Sequence, residues 1–246
     1  MKKIILLTGT IQPFSGIVST KLTDPVIRQR QYVEAIRFYL DKTDAKIVFV
    51  ENSGVDISGI FQSAILSARL ELITYTEKKD VISLGKGIGE TRIIARALEY
   101  SRFIRDADFI FKITGRLIIK NISHFLTSPQ LDDQQVIAMS DLEKGFTLSA
   151  FFIFKPSFFT NHFLAYSAHL DDTKGFYFEH ALTYAIYDVI KTGKKFESFD
   201  LLPRLAGDSG TQNKKLKSGY LYWALTNRIF LAWKFKKKQL ARRLTL

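Results

Sequence analysis

Apolar residues arrive in short dense runs separated by polar punctuation, and the period changes from run to run. Ile4–Thr10 begins as an unbroken apolar stretch and stops at Thr8, Gly9 and Thr10, the form of a strand buried on both faces. Residues 23–40 shift to helical spacing, with Val33, Ile36, Tyr39 and Leu40 on one side, Asp24 as N-cap and Pro25 at the first helical position. A second strand, "AKIVFVENSG", closes in Glu51, Asn52, Ser53 and Gly54. A short helix over Ile57–Ala68 and the apolar "ELITYT" follow. Ile93, Ile94, Ala97, Leu98 and Ile104 predict a helix over Thr91–Arg105, led by the glycine run Gly85–Gly89 and followed by a strand at Phe109–Ile113. "QQVIAMS" and "FTLSAFFIFKP" predict further strands. Leu182, Ile186, Val189 and Ile190 predict a helix over Phe178–Ile190, ending at Gly193 with Lys191, Lys194 and Lys195 near its C-terminus.

Strands alternating with helices through residue 120 predict an α/β fold, a Rossmann-like, mostly parallel sheet flanked by helices. Ligands in such sheets sit beyond the carboxyl ends of the strands. Thr8–Thr10, Glu51–Gly54 and Lys112–Arg116 therefore fall along one edge, and three polar strand ends outline a site.

Composition narrows the chemistry. The 246 residues include no cysteine, which excludes a disulfide framework, a thiolate zinc site and a cysteine nucleophile, and fits a reducing cytoplasm. Four scattered histidines make a self-contained metal centre a poor expectation. The opening "MKKIILLTGTIQP" has an apolar run too short for a secretion signal and reads as a first core strand. The net charge of +12 is concentrated at one end: ten of the 36 basic residues follow Asp208, and no acidic residue does. That tail interleaves Tyr220, Tyr222, Trp223, Phe230, Trp233 and Phe235 with lysine and arginine. It suits a membrane interface, suits RNA by stacking and phosphate contact, and equally suits a packed helix with a solvated basic end.

Within "DADFIFKITGRLII", Lys112 and Thr114 alternate with Ile113 and point to the opposite face. A lysine inside an apolar strand is costly to bury unpaired. It either meets a carboxylate, with Asp106 and Asp108 nearest in sequence, or faces a ligand cleft. Gly115 permits close approach, and the fork of Arg116 suits phosphate. Asp106–Asp108 precedes the strand, at the wrong end for a metal site. "GKGIGE" is either a glycine turn ahead of a helix or a loop that turns Lys86 and backbone N–H groups toward a phosphate. Glu179 and His180 lie near a helix N-terminus, where a carboxylate is an ordinary first-turn residue or a poised general base. His169, Asp171 and Asp172 are too sparse for a complete metal site.

The order apolar strand, glycine loop, helix containing "ARALEYS" and then "DADFIFKITGR" resembles the nucleotide-sugar half of GT-A glycosyltransferases over residues 1–200. "KGIGE" with "FIFKITGR" looks like a group of bacterial enzymes for capsule, O-antigen or related surface polysaccharides. The resemblance implies a GT-A-like catalytic domain over 1–205 that moves a sugar from a nucleotide-sugar donor to a hydroxyl of a lipid-linked glycan acceptor. The tail, 206–246, would hold it in the cytoplasm on the inner membrane face. Thr8, Gly9, Thr10, Glu51 and Asn52 would frame base and ribose, and Lys86, Lys112, Thr114, Gly115 and Arg116 would hold diphosphate and sugar. Glu179 falls where inverting members place a carboxylate, so it is the expected base, with Asp171 and Asp172 in reserve.

The chain departs from that pattern where Lys112 and Thr114 stand in place of Asp-x-Asp. A Mn or Mg cofactor is therefore not carried over, and Lys112 and Arg116 are expected to neutralise the leaving diphosphate directly. Two other readings stand beside this one. A nucleic-acid-binding protein would use the tail, although nucleic acid is not the expected partner. A nucleotidyltransferase would share the cleft but would need metal-binding carboxylates at the strand ends.

Overall fold

The computed structural model describes residues 1–14, 22–78, 83–128, 131, 133–208, 216 and 218–244, with side chains described to residue 232. The apolar runs become strands β1 (Lys3–Gly9), β2 (Lys46–Glu51), β3 (Leu70–Thr74) and β4 (Phe109–Thr114), all parallel. Next to β4 lies β7 (Phe146–Phe154), antiparallel to it and to β6 (Gln134–Asp141), while β8 (Lys195–Glu197) pairs parallel with β6. The seven-stranded order is β3-β2-β1-β4-β7-β6-β8. One reversed strand in an otherwise parallel α/β sheet has a local consequence. The first residues of β7 stand at the same edge as the carboxyl ends of β1, β2 and β4.

Alternation along each strand divides the core in two. Ile4 and Leu6 of β1 face one layer, and Ile5 and Leu7 the other. The first layer is closed by α3 (Lys86–Tyr100) and α5 (Phe178–Lys191), with Phe152, Phe154, Phe159, Phe163 and Phe178 filling the space between. The second is closed by α1 (Pro25–Lys42) and α4 (Ile122–Thr127), where Phe151 stacks on Phe199 at 4.8 Å and 11°. Asp24 caps α1 as its position predicts, accepting from the N–H groups of Val26 and Ile27 at 2.8 and 3.2 Å.

Several elements depart from the periodicity reading. The core face of α1 is carried by Tyr32, Ala35, Ile36 and Tyr39, so Val33 and Leu40 are only half-buried. The Ile57–Ala68 helix breaks into a single 3-10 turn, Ser58–Ile60, and the short α2 (Gln62–Leu66). α3 begins at Lys86 and stops at Tyr100, because Gly87 and Gly89 are drawn into the helix by packing that outweighs their low propensity. Ile190, expected in the core, is 47% exposed. A two-residue ribbon, β5 (Ile118–Ile119) with β9 (Leu205–Ala206), and a helical segment at 156–167 carry too little periodicity to be read. The tail forms α6 (Tyr220–Leu244), docked through Trp223 Nε1 to the carbonyl of Leu202 at 2.8 Å and through Asn227, whose amide oxygen accepts the Leu202 N–H at 2.8 Å. Lys214, Lys215 and Lys217 lie outside the described residues, as do the side chains of Trp233, Phe235 and the basic residues beyond them.

Candidate functional site

A cleft of about 690 Å³ opens over the carboxyl ends of β1, β2 and β4 and the start of β7. Thr8, Gly9 and Thr10 from β1 and its turn, Asn52 after β2, and Thr114 and Arg116 after β4 line it. Lys86 and Glu90 come from α3, Ser149 from β7, Asp172 from the segment leading into α5 and Glu179 from its first turn. The turn after β1 is held in shape from below. Thr10 donates its N–H to the Tyr32 hydroxyl at 2.9 Å and its own hydroxyl to Asn52 Oδ1 at 2.6 Å. Arg28 donates to the carbonyls of Thr10 and Leu22 at 2.7 and 3.1 Å.

The arginines define the electrostatics. Arg28 and Arg116 are 6% and 8% exposed, and both line the cleft. Neither has a carboxylate within salt-bridge distance among the described residues, and their hydrogen bonds go to uncharged oxygens. Arg116 donates to Gln31 Oε1 at 3.1 Å and to the Asp208 carbonyl at 3.4 Å, and its buried Nε has no partner. Burial lowers the Arg28 pKa from its ordinary value, and the nearby Arg116 lowers it further against the opposing effect of Tyr32. Lys86 is pushed down mainly by burial, with Asp172 opposing and both arginines adding to the fall. Three cations thus line one cleft and repel one another. An anion placed among them relieves that repulsion.

Lys112 sits beneath the cleft and does not line it. It is wholly buried and pairs with Glu90 of α3, not with Asp106 or Asp108, which are taken up by Lys2. Its ammonium also donates to the Ser149 carbonyl at 2.6 Å and lies 3.5 Å from Thr114 Oγ1, with Phe152 and Phe178 ring centres 5.5 and 5.8 Å away. Thr8 Oγ1 donates to the same Glu90 carboxylate at 3.1 Å. On the far side, Ser149 Oγ donates to Glu179 Oε1 at 2.5 Å. A continuous polar chain therefore crosses the floor, from β1 through α3, β4 and β7 to α5.

Other expected site residues serve the frame. Glu51 is wholly buried away from the cleft, where its carboxylate accepts the N–H groups of Ile11, Ser53 and Val55 at 2.8, 3.0 and 3.0 Å. Gly115 does permit a close approach, but of the Thr8 carbonyl, 2.7 Å from where a Cβ would stand. Asp171 caps the 3-10 turn Asp172–Lys174, and the Thr173 hydroxyl and Lys174 hold its carboxyl down to about 2. The N-terminal amides of α3 are occupied as well. Asp172 Oδ2 accepts the Lys86 N–H at 2.7 Å, and Gly85, at φ +112°, has no room for a Cβ against the same carboxylate. Burial raises the Asp172 pKa against the pull of the Lys86 and Gly87 amides. The phosphate-loop reading of "GKGIGE" is thereby corrected, since a protein carboxylate already fills that helix end.

Sequence reading missed Arg28 and Ser149. Arg28 stands at helical spacing in α1 with nothing local to mark it, and Ser149 is one of many serines. No three histidine or acidic side chains converge among the described residues in a way that could hold a metal ion, and β4 ends in Thr114, with Gly115 just beyond it. The described residues of the cleft do not offer the carboxylate cluster for the divalent metal that the family resemblance would suggest.

No protein-family model and no curated protein sequence matches the chain. Similar solved structures include an inositol-1-phosphate CTP transferase from T. maritima, at TM-score 0.47 and 15% identity over 81% of this chain and 85% of that one. A nucleotide-diphospho-sugar transferase described from Desulfovibrio desulfuricans aligns at 0.46 and 11% over 80% and 79%. A galactosyltransferase in complex with donor and acceptor sugar analogues aligns at 0.46 and 8% over 75% and 70%.

Proposed function

We propose that the protein is a glycosyltransferase that takes a sugar from a nucleoside-diphosphate donor and delivers it to a hydroxyl of a glycan acceptor. One observation carries the reading. Two buried arginines, with no carboxylate within salt-bridge distance among the described residues, line a cleft at the carboxyl ends of parallel strands that the carboxylate of Glu179 also lines. A diphosphate supplies the charge that Arg28 and Arg116 lack, and it is also the leaving group whose developing charge they stabilise together with Lys86. Thr8, Gly9, Thr10 and Asn52 frame the nucleoside, and Thr114 the sugar. Glu179, oriented by Ser149, takes the proton from the acceptor hydroxyl as its oxygen bonds the anomeric carbon and the bond to the diphosphate breaks. Lys112 contributes from below by fixing Glu90 and Ser149.

The acceptor in this reading is a lipid-linked glycan of a capsule or O-antigen type, met at the inner face of the cell membrane. Its support is α6, where Leu221, Leu225 and Ile229 recur every four residues and are 79%, 62% and 69% exposed, ahead of a run of lysines and arginines. No helix of the described residues is long and apolar enough to cross a membrane.

The test is a thermal-shift panel of nucleoside diphosphates, triphosphates and nucleotide sugars, in EDTA and in Mn²⁺, on wild type, Arg116→Gln and the charge-retaining Arg116→Lys. One nucleoside diphosphate should stabilise the wild type in EDTA, with affinity about tenfold or more weaker in Arg116→Gln. Glu179→Gln should keep that binding and lose about 10²-fold or more of transfer. Triphosphate turnover with pyrophosphate release would replace this reading with a nucleotidyltransferase. Indifference to every nucleotide would remove it.

A further inference from the structure

A helix at the edge of a core needs one apolar face, and in α5 that face is complete. Phe178, Ala181, Leu182, Ala185, Ile186 and Val189 are all buried. A second stripe occupies positions 177, 180, 184 and 187, spaced to share another face, and every member is a ring: Tyr177, His180, Tyr184 and Tyr187. Core packing does not require it.

Neighbouring elements extend the stripe into a band. His180 lies between Phe146 of β7 and Tyr177, at ring-centre distances of 5.8 and 5.5 Å. It leans on Phe176 at 5.8 Å, and Phe176 stacks with Tyr184 at 6.0 Å and 26°. Tyr184 in turn stacks with Tyr166 at 5.5 Å and 26°. Phe146, Tyr177 and Tyr184 are exposed by 38%, 41% and 47%, while Tyr166, Phe176, His180 and Tyr187 are half-buried. Phe146 and Tyr177 also line the cleft beside Glu179. The band thus begins where an acceptor hydroxyl would stand and leads away along α5, each step comparable to one sugar ring.

Charge decides the class of ligand. The cation-π pairs of the described residues all lie elsewhere, and the lysines that flank Phe146 and Phe176 in sequence, Lys144 and Lys174, are paired with Asp141 and Asp171. A single-stranded nucleic acid or an anionic membrane needs cations interleaved with the rings. A pyranose needs none. Its C–H face carries slight positive charge and meets the negative face of a ring, while its hydroxyls bond the polar edges of tyrosine and histidine. We propose that this aromatic band binds the chain of the acceptor, an uncharged oligosaccharide of several pyranose units laid along α5 with its growing end at Glu179. The proposal rests on the transferase reading of the cleft and names the acceptor class for it.

The experiment is saturation-transfer NMR with maltohexaose, cellohexaose and chitohexaose and their monosaccharides, on wild type, Tyr184→Ala and Tyr184→Trp. Tyr184 is exposed, and the nucleotide thermal shift read on the same samples checks the fold and the cleft separately. At least one hexasaccharide should bind more tightly than its monosaccharide. Tyr184→Ala should weaken it about fivefold, the worth of one stacking contact, and Tyr184→Trp should restore it. No hexasaccharide binding, binding independent of length, or equal binding by Tyr184→Ala overturns the proposal, as does anionic-vesicle binding that Tyr184→Ala abolishes. If nucleotides bind while saccharides do not, the band alone is refuted. If nucleotides fail to bind, the cleft reading fails on its own account.

Discussion

Lys112 spends its charge on a neighbour, and the consequences are measurable. Removing one member of a buried ion pair strands the other, at about 3–5 kcal/mol, whereas removing both together costs far less. Lys112→Met should lower the urea midpoint sharply, and Lys112→Met with Glu90→Gln should recover much of the loss. Equal losses for the single and double variants would show that the pair does not act as a unit. The chain flagged this lysine, because a cation amid Phe111, Ile113 and their neighbours demands compensation. It did not reveal the partner, since Glu90 faces Lys112 only through the docking of α3. Lys86 has a different signature. Its pKa is lowered from 10.5, chiefly by burial, so it sheds its proton earlier than a free lysine. As pH rises through that window the folded chain gains stability, because the unfolded lysine keeps its proton longer. Diphosphate affinity should meanwhile fall. Calorimetry between neutral pH and the ordinary lysine range should show the fall in wild type and a flatter profile in Lys86→Arg.

At the scale of elements, Asp172 separates two roles that sequence alone leaves open. As the remote cap of α3 it needs only an oxygen acceptor, which asparagine also has. Asp172→Asn should keep stability and transfer nearly intact, while Asp172→Ala should cost about 1 kcal/mol in denaturant unfolding. Loss of transfer in Asp172→Asn with stability unchanged would return it to the list of catalytic bases. The strands β1, β2 and β4 were legible because a strand buried on both faces writes itself as an unbroken apolar run. The start of α1 was legible because Asp24 and Pro25 act locally. The start of α3 was not, since its glycines argue against helix and the carboxylate that caps it comes from another part of the chain. Arg28 was hidden for the same reason, as only the turn after β1 gives its guanidinium a purpose.

Across the whole molecule, the sheet edge that collects the polar strand ends follows from α/β alternation, so three of the cleft's walls were foreseeable. The fourth depends on β7 running backwards, which no local pattern announces. The charge asymmetry has its own test. Co-sedimentation with anionic vesicles should be strong at low salt and fall as salt rises. Leu225→Glu with Ile229→Glu should abolish it, and zwitterionic vesicles should bind weakly. Vesicle binding indifferent to both changes would leave α6 without a membrane role.

The reversal of β7 also orders events in time. β1, β2 and β3 are neighbours in the sheet and lie within the first 74 residues, so they can pair while the remainder is still being synthesised. β4 joins β1 next. Ser149 and Glu179 reach the cleft only after β7 has turned back to zip against β4. The cleft is therefore completed well after the three strands that begin it, and ahead of α6. A ligand that bridges Arg116 and Glu179 would distinguish chains grown past α5 from those that end before it.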